Sequence, residues 1–248
     1  MQRYFVDEAV DNHFYISGDD RHHIVKVMRL KVDDQIICAN SSGNSAICVI
    51  EEITDENVVA KVVKWEEGSV ELPVKVTIVS GLPKGDKLEW VIQKGTELGA
   101  SRFIPFTAAR SVVKWDEKKA AKKVERWEKI AKEAAEQSHR RELPEVWSPV
   151  NLKKLIELSK SYDNRLIAFE EDAKTGESSV LAKTLAKVEK GQSLLFVFGP
   201  EGGLTEEEVA LMRESGFETC GLGPRILRTE TAPLYALSAV SYHFELMR

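Results

Sequence analysis

Residues 194–205 read LLFVFGPEGGLT, an apolar run that ends in a glycine-rich turn. The run predicts a buried strand, and Thr205, followed by three glutamates, predicts the start of a helix. A second stretch, residues 222–232 (LGPRILRTETA), follows a short predicted strand and leads into the last helix. Open α/β sheets bind ligands at loops of this kind, beyond the carboxyl ends of their strands. Neither loop reads GxGxxG or GxxxxGK[ST], so neither is a standard dinucleotide or triphosphate site.

Strands and helices alternate from about residue 71 to the last helix. The predicted strands are 74–79, 102–106, a short one near 146, 165–169, 193–198 and 218–221, and residues 171–179 are predicted as a polar loop. The predicted helices are 86–98, 116–139, 152–159, 205–215 and 230–247. This alternation predicts a mostly parallel sheet with helices on both faces.

The first seventy residues have a different pattern. Short strands are predicted at 13–16, 35–39, 46–50 and 58–63, with one helix from about 19 to 30. Several short strands and one helix are typical of a small β-barrel-like domain. Because the composition changes near residues 65–73, we expect two domains, 1–70 and 71–248.

Composition narrows the class of protein. The chain has 248 residues, of which 43% are hydrophobic and 30% charged, as in soluble globular proteins. No apolar run has bilayer-spanning length and no signal-peptide core is present, so we expect a cytoplasmic protein with no membrane partner. The three cysteines, Cys38, Cys48 and Cys220, lie in apolar surroundings without CxxC spacing, which predicts buried core residues and no metal site.

The charge is unevenly distributed along the chain. A net charge of −5 argues against a nonspecific nucleic-acid binder. Residues 1–70 hold 7 Lys and Arg against 13 Asp and Glu, whereas residues 110–141 hold 11 against 6. An acidic protein with a local basic face is therefore compatible with the sequence.

A third segment, residues 84–99, begins KGDKLEW and ends QKGTELG, and it follows the first strand of the alternating region. Together the three segments resemble the SPOUT methyltransferases, and more narrowly the ribosomal RNA small-subunit methyltransferase E family, over essentially the whole chain. The resemblance implies an N-terminal PUA-like β-barrel and a SPOUT-type α/β domain with a C-terminal trefoil knot. It also implies a homodimer that uses S-adenosyl-L-methionine to methylate N3 of uridine 1498 of 16S rRNA in the small ribosomal subunit.

The family's cofactor-binding motifs match two groups of residues in this sequence, and the resemblance implies that these residues bind the cofactor. The first loop would contribute Phe198, Gly199, Glu201 and Gly202, and the second Leu222, Gly223, Ile226, Leu227 and Arg228. Backbone groups of these loops can reach the adenine edge, and glycine is needed wherever the backbone comes close.

The implied reaction also requires a base and a cation. N3 of uracil carries a proton and becomes nucleophilic when a carboxylate accepts it. Glu230 is the first candidate base and Glu201 the second, and Arg228 is the candidate cation that stabilises the uridinate. Glu230 could instead interact with the dipole of the last helix, and Arg228 could pair structurally with a carboxylate.

Candidate RNA contacts lie in both halves of the chain. Arg21, Lys26 and Arg29 lie on or just after the first helix, and Lys84, Arg110 and Arg140 lie further along the chain. Each could contact a phosphate or simply face solvent. Three other functions stay open: a SPOUT enzyme that methylates a ribose 2′-hydroxyl, an RNA-binding assembly factor without catalysis, and a doubly wound nucleotide-binding enzyme.

Overall fold

A computed structural model describes residues 1–7, 9–113, 115–169 and 179–247. The predicted polar loop therefore lies outside the described residues except for its last member. The chain divides into two compact units: Met1–Glu71 with Lys132–Leu143, and Leu72–Ala131 with Pro144–Arg248. The described residues include no helix with the length and apolar character needed to cross a membrane.

The first unit is built on one mixed five-stranded sheet. Its strands are β1 (Arg3–Phe5), β2 (His13–Ile16), β3 (Gln35–Ala39), β4 (Ser45–Ile53) and β5 (Val58–Trp65). They run in the order β1-β3-β4-β5-β2, with β1 parallel to β3 and the other pairs antiparallel. The sheet is a half-barrel rather than a closed barrel, because β1 and β2 occupy the two ends of this order. Its core includes Tyr4, Phe14, Ile36 and the predicted buried cysteines Cys38 and Cys48.

The helix of the first unit is shorter and less regular than predicted. Helix α1 covers Gly18–His22 and continues as a π-helical turn over His23–Val27, where a single helix to residue 30 was expected. Arg29 has φ 55°, a left-handed conformation that an α-helix of L-residues cannot continue through. This part of the chain therefore leaves the helix before Leu30.

Residues 132–143 complete the first unit. The carboxylate of Glu71 accepts hydrogen bonds from Arg140 Nε at 2.9 Å and from the backbone N–H groups of Arg141 at 2.8 Å and Glu142 at 3.2 Å. Arg140 is only 4% exposed. One buried ion pair therefore fixes the segment that leaves the long helix.

The second unit contains a fully parallel six-stranded sheet, which confirms the predicted mostly parallel arrangement. Its strands are β6 (Lys75–Gly81), β7 (Arg102–Phe106), β8 (Glu145–Val146), β9 (Asn164–Ala168), β10 (Ser193–Phe198) and β11 (Glu218–Cys220). They run in the order β11-β9-β10-β6-β7-β8. Along β10, Leu194, Phe196 and Phe198 pack into one hydrophobic core, and Leu195 and Val197 pack into another. Both faces of the sheet are therefore buried, as expected for parallel strands.

The described residues of this α/β region form six helices. They are α2 (Lys87–Glu97), α3 (Glu117–Gln137), α4 (Leu152–Ser159), α5 (Ser179–Leu185), α6 (Glu206–Glu214) and α7 (Thr231–Ser241), the last extended by a π-helical turn over Tyr242–Leu246. The last part of α3, from Lys132, is grouped with the first unit. Helix α5 was not predicted. Its signal is present in the apolar spacing of Val180, Leu181, Leu185 and Val188, which recur at helical intervals.

Candidate functional site

Two glycine-rich loops meet the N-terminus of α2 at the carboxyl edge of the parallel sheet. Strands β6 and β10 are neighbours there, with Phe198 opposite Ser80. A Cβ atom on Gly81, the last residue of β6, would lie 2.4 Å from the backbone nitrogen of Pro200. Glycine at this position therefore lets the loop after β10 pass directly over the end of β6.

A cavity of about 650 Å³ opens between these loops. Its lining includes Phe198, Gly199, Glu201 and Gly202 from the loop after β10, and Ile226, Leu227 and Arg228 from the loop before α7. The lining also includes Lys87, Arg110, Phe169 and Thr229, which were not predicted for cofactor binding.

Two residues predicted to bind the cofactor do not line this cavity. Leu222 packs against the hydrophobic core of the second unit. Gly223 has φ +89°, and a Cβ atom there would lie 3.8 Å from the hydroxyl of Tyr235. Gly223 therefore serves the turn that leads into the second loop, since its left-handed backbone favours glycine.

The glycines of the first loop leave little room for side chains. A Cβ atom on Gly199 would lie 3.0 Å from backbone atoms of Gly203 and Leu204, and one on Gly202 would lie 3.2 Å from Cβ of Arg110. The Phe198 ring stacks on Phe196, with 4.8 Å between ring centroids and an interplanar angle of 18°. The wall of the cavity is thus formed by backbone segments that pass close to one another, and the stacked rings of Phe196 and Phe198 support it.

The loop after β7 is tied to this wall by a buried carboxylate. Glu208 Oε1 accepts the backbone N–H of Ala109 at 2.8 Å, and Oε2 accepts that of Thr205 at 2.9 Å. Arg110 Nη1 donates to the carbonyl oxygen of Gly202 at 3.0 Å. These bonds place the Arg110 guanidinium at the mouth of the cavity.

The predicted base candidates differ in their partners. Glu201 Oε1 accepts hydrogen bonds from Lys87 Nζ at 2.7 Å and from the backbone N–H of Lys84 at 3.1 Å. Burial raises the pKa of the Glu201 carboxyl, but the Lys87 ammonium and backbone N–H groups outweigh burial and hold that pKa below its usual value. Glu201 is therefore a paired carboxylate with weakened basicity.

Glu230 is buried at Oε2, and that oxygen accepts no hydrogen bond from any described residue. Its distance to Lys87 Nζ is 3.9 Å, so the lysine lies between the two carboxylates. Glu230 is the N-cap residue of α7, but its side chain makes no capping hydrogen bond. The alternative interpretation, an acid that interacts with the dipole of the last helix, requires no capping hydrogen bond, and the N-cap position is compatible with it.

Sequence reasoning did not single out Lys87 as a site residue. Its hydrogen bond to Glu201 is the largest cause of a raised pKa for the Lys87 ammonium. Arg228 is exposed, and its guanidinium makes no hydrogen bond or ion pair to a described residue. The site therefore combines a cation paired with Glu201, an exposed cation at the cavity wall and one carboxylate oxygen that accepts no hydrogen bond from a described residue.

The predicted RNA contacts fall into three groups. Lys26, Arg29 and Lys84 are exposed, and Arg21 is partly buried and donates through Nε to the carbonyl oxygen of Thr54 at 3.0 Å. Arg110 faces the cavity, as described above. The prediction for Arg140 is corrected, because its guanidinium is buried against Glu71 and cannot reach a phosphate.

Comparisons with known proteins agree with this architecture. The model of an RNA methyltransferase domain matches residues 70–241, and that of an RNA methyltransferase PUA domain matches residues 16–63. Ribosomal RNA small subunit methyltransferase E of Bacillus subtilis (strain 168) is 55% identical over 253 residues, covering 100% of this chain and 99% of that protein. The protein of the same name from Mycobacterium tuberculosis is 33% identical over 91% of this chain and 84% of its own length.

A solved structure is similar over nearly the whole chain. The ribosomal RNA small subunit methyltransferase E from Neisseria gonorrhoeae, bound to S-adenosyl methionine, has a TM-score of 0.82 and 26% identity, covering 97% of both chains. The two family models and the structural similarity over nearly the whole chain thus agree with the fold. The chain belongs to the ribosomal RNA small subunit methyltransferase E family and is an RNA methyltransferase.

Proposed function

We propose that this chain transfers the methyl group of S-adenosyl-L-methionine to N3 of a uridine, position 1498, in the 16S rRNA of the small ribosomal subunit. The observation that carries the proposal is the cavity between the glycine-rich loops, beside which Glu230 holds a buried carboxylate oxygen without a hydrogen-bond partner. A ligand that brings an N–H donor to this edge would satisfy that oxygen. Uracil N3 carries such a proton.

The residues of the cavity fit this cofactor. A volume of about 650 Å³ lies within the range of small-molecule sites. Phe198, Gly199 and Gly202 would hold the cofactor on one side, and Ile226 and Leu227 on the other, with backbone groups free of obstructing Cβ atoms. When bound, S-adenosyl-L-methionine supplies a methyl group already activated on a positively charged sulfur.

The remaining chemical task is removal of the N3 proton. Glu230 Oε2 accepts it, since this oxygen has no competing hydrogen bond from a described residue. Glu201 is the poorer acceptor, because Lys87 and the Lys84 N–H already occupy its Oε1. Charge that develops on the uracil oxygens is stabilised by Arg228, which the structure leaves available at the cavity wall.

Lys87 has a positioning role in this scheme. It binds Glu201 at 2.7 Å and lies 3.9 Å from Glu230, so it links the loop after β10 to the start of α7. Lys87 therefore orients both carboxylates at the edge of the cavity that it lines.

The resemblance to the family also supports a proposal for the larger organisation. The chain would form a PUA-like domain over residues 1–70, against which the structure groups residues 132–143, and a SPOUT methyltransferase domain over 71–248 with a C-terminal trefoil knot. Two copies form a homodimer that acts in the cytoplasm. The full-length match to the Bacillus subtilis relative supports these assignments.

The test is methyl transfer from labelled S-adenosyl-L-methionine to small subunits from cells that lack this modification. The product nucleoside is identified by mass spectrometry, with naked 16S rRNA and a Glu230→Gln enzyme assayed in parallel. We expect N3-methyluridine on subunits and a strong loss with the variant. A ribose-methylated product would replace the proposed reaction with 2′-O-methylation, and an enzyme that binds neither cofactor nor transfers methyl groups would be an assembly factor.

A further inference from the structure

Helix α3 concentrates positive charge on one face. Its first thirteen residues carry six cations: Lys118, Lys119, Lys122, Lys123, Arg126 and Lys129. At 3.6 residues per turn these side chains fall within an arc of about 140°. The glutamates at positions 117, 125 and 128 fall outside that arc. We call the six cations the α3 basic face.

This face is turned to solvent in the described structure. Five of its members are exposed and Lys123 is partly exposed. The opposite side of the helix is buried through Trp127 and Ala131, which join the core of the second unit. The amphipathic packing of α3 thus fixes which side of the helix the cations occupy.

Helix stability does not explain this arrangement. Lys118, Lys122 and Arg126 are spaced four residues apart, and like charges at that spacing destabilise a helix. Lys123 Nζ and Arg126 Nη2 converge on one carboxylate, that of Glu89, at 3.4 and 2.7 Å. Lys118, Lys119 and Lys122 form no ion pair with a described carboxylate, so the first two turns of the face stay strongly positive.

The loop after β7 connects this face to the site. Arg110 of that loop lines the cavity, and α3 begins seven residues later, at Glu117. The ion pairs of Glu89 fasten the α3 basic face to α2, although Glu89 and Lys87, two residues apart, leave opposite sides of that helix. All of these residues belong to the second unit.

We propose that the α3 basic face binds the phosphate backbone of the RNA substrate and so positions the target nucleotide at the cavity. The inference rests on the proposed function, because it assumes that the substrate is RNA. The chain has a net charge of −5, so attraction to phosphates must come from a local surface. The α3 basic face supplies that attraction, whereas Arg140 is buried and cannot contact a phosphate.

The test compares two triple variants with the same change in net charge. Lys118→Gln, Lys119→Gln and Lys122→Gln together neutralise half of the face. Lys153→Gln, Lys160→Gln and Lys187→Gln together neutralise three exposed lysines elsewhere in the second unit. Binding of naked 16S rRNA and of unmodified small subunits is measured from 50 to 200 mM salt, with S-adenosyl-L-methionine binding as a check of folding.

Each phosphate contact contributes about 0.7 to 0.9 to the slope of log affinity against log salt. Loss of three contacts lowers the slope by about 2 to 3, so the affinity ratio of wild type to α3 variant shrinks about 20- to 40-fold over this fourfold salt range. The control variant keeps the wild-type slope. Replacing the same three residues by arginine restores affinity, since phosphate attraction depends on charge.

Three outcomes would overturn the proposal. The α3 variant could keep the wild-type slope, the control variant could lose as much as the α3 variant, or the α3 variant could bind naked rRNA normally while losing only subunits. The last result would assign the face to a ribosomal protein. If the wild-type protein bound rRNA but methylated nothing, the proposed function would be wrong. The salt dependence of rRNA binding would still show whether the α3 basic face contacts phosphates.

Discussion

Replacing Glu230 by Gln removes a charge while keeping the shape of the side chain. The structure leaves Oε2 of Glu230 buried and without a hydrogen bond from a described residue, 3.9 Å from Lys87 Nζ. If this oxygen accepts the N3 proton, its neutral replacement lowers kcat by about 10²- to 10⁴-fold. That loss corresponds to about 2.7 to 5.5 kcal/mol in the activation barrier.

Folding is expected to change little in the same variant. Lys87 is more than a third exposed, so solvent screens its attraction to Glu230. We expect the unfolding midpoint to stay within about 2 °C of wild type and cofactor affinity to stay within about twofold. A large kinetic effect with a small structural effect is the signature of a proton acceptor.

Single-turnover methylation of small subunits measures the chemical step, and calorimetry measures cofactor binding. Glu201→Gln is the matched control, because Glu201 is paired with Lys87 and the Lys84 N–H. We expect this control to weaken cofactor binding more than it slows single-turnover transfer. A Glu230→Gln enzyme that transfers methyl groups within threefold of the wild-type rate would refute the assignment of the base.

Three further predictions concern stability. Burial is the main cause that raises the pKa of Glu136 from 4.5 to about 7, so between these pH values the folded chain holds a proton that the unfolded chain releases. The free energy of unfolding therefore falls by up to about 3 kcal/mol as the pH rises from 4.5 to 7. Denaturant titrations at several pH values measure this slope, and we expect Glu136→Gln to remove it. Gly81→Ala places a Cβ atom 2.4 Å from the backbone nitrogen of Pro200 and should cost about 1 to 3 kcal/mol, measured by urea unfolding, whereas an unchanged midpoint would show that the loop can move aside. Arg140→Ala leaves Glu71 buried without its guanidinium partner, so we expect the free energy of unfolding to fall by about 3 kcal/mol in the same assay. The rRNA affinity of the folded variant should not change. A loss of affinity would show that Arg140 does contact the RNA.

The sequence predicts the parallel sheet well because both of its faces are buried. Runs such as LLFVF at 194–198 have no polar alternation, and each is followed by a helix with a clear start. Thr205 and Glu208 form the capping box that such a start requires. Local chemistry and tertiary structure agree at these points, so pattern reasoning succeeds.

Pattern reasoning fails where the sequence carries no local signal for the structure. Arg29 takes a left-handed backbone conformation and ends the first helix early, although no glycine or proline marks that position. Arg140 looks like a surface cation within a basic segment, but Glu71, distant in sequence, buries it. A one-dimensional pattern carries no information about which carboxylate will lie opposite a given cation.

The same limit explains why the site was only partly predictable. Glycines at 199 and 202 mark a close backbone approach that needs no partner to recognise. The different surroundings of Glu201 and Glu230 depend instead on Lys87, the first residue of α2, which contacts Glu201 more closely than Glu230. The sequence ranked Glu230 first and Glu201 second as candidate bases, but it could not show that a single ammonium lies 2.7 Å from Glu201 and 3.9 Å from Glu230.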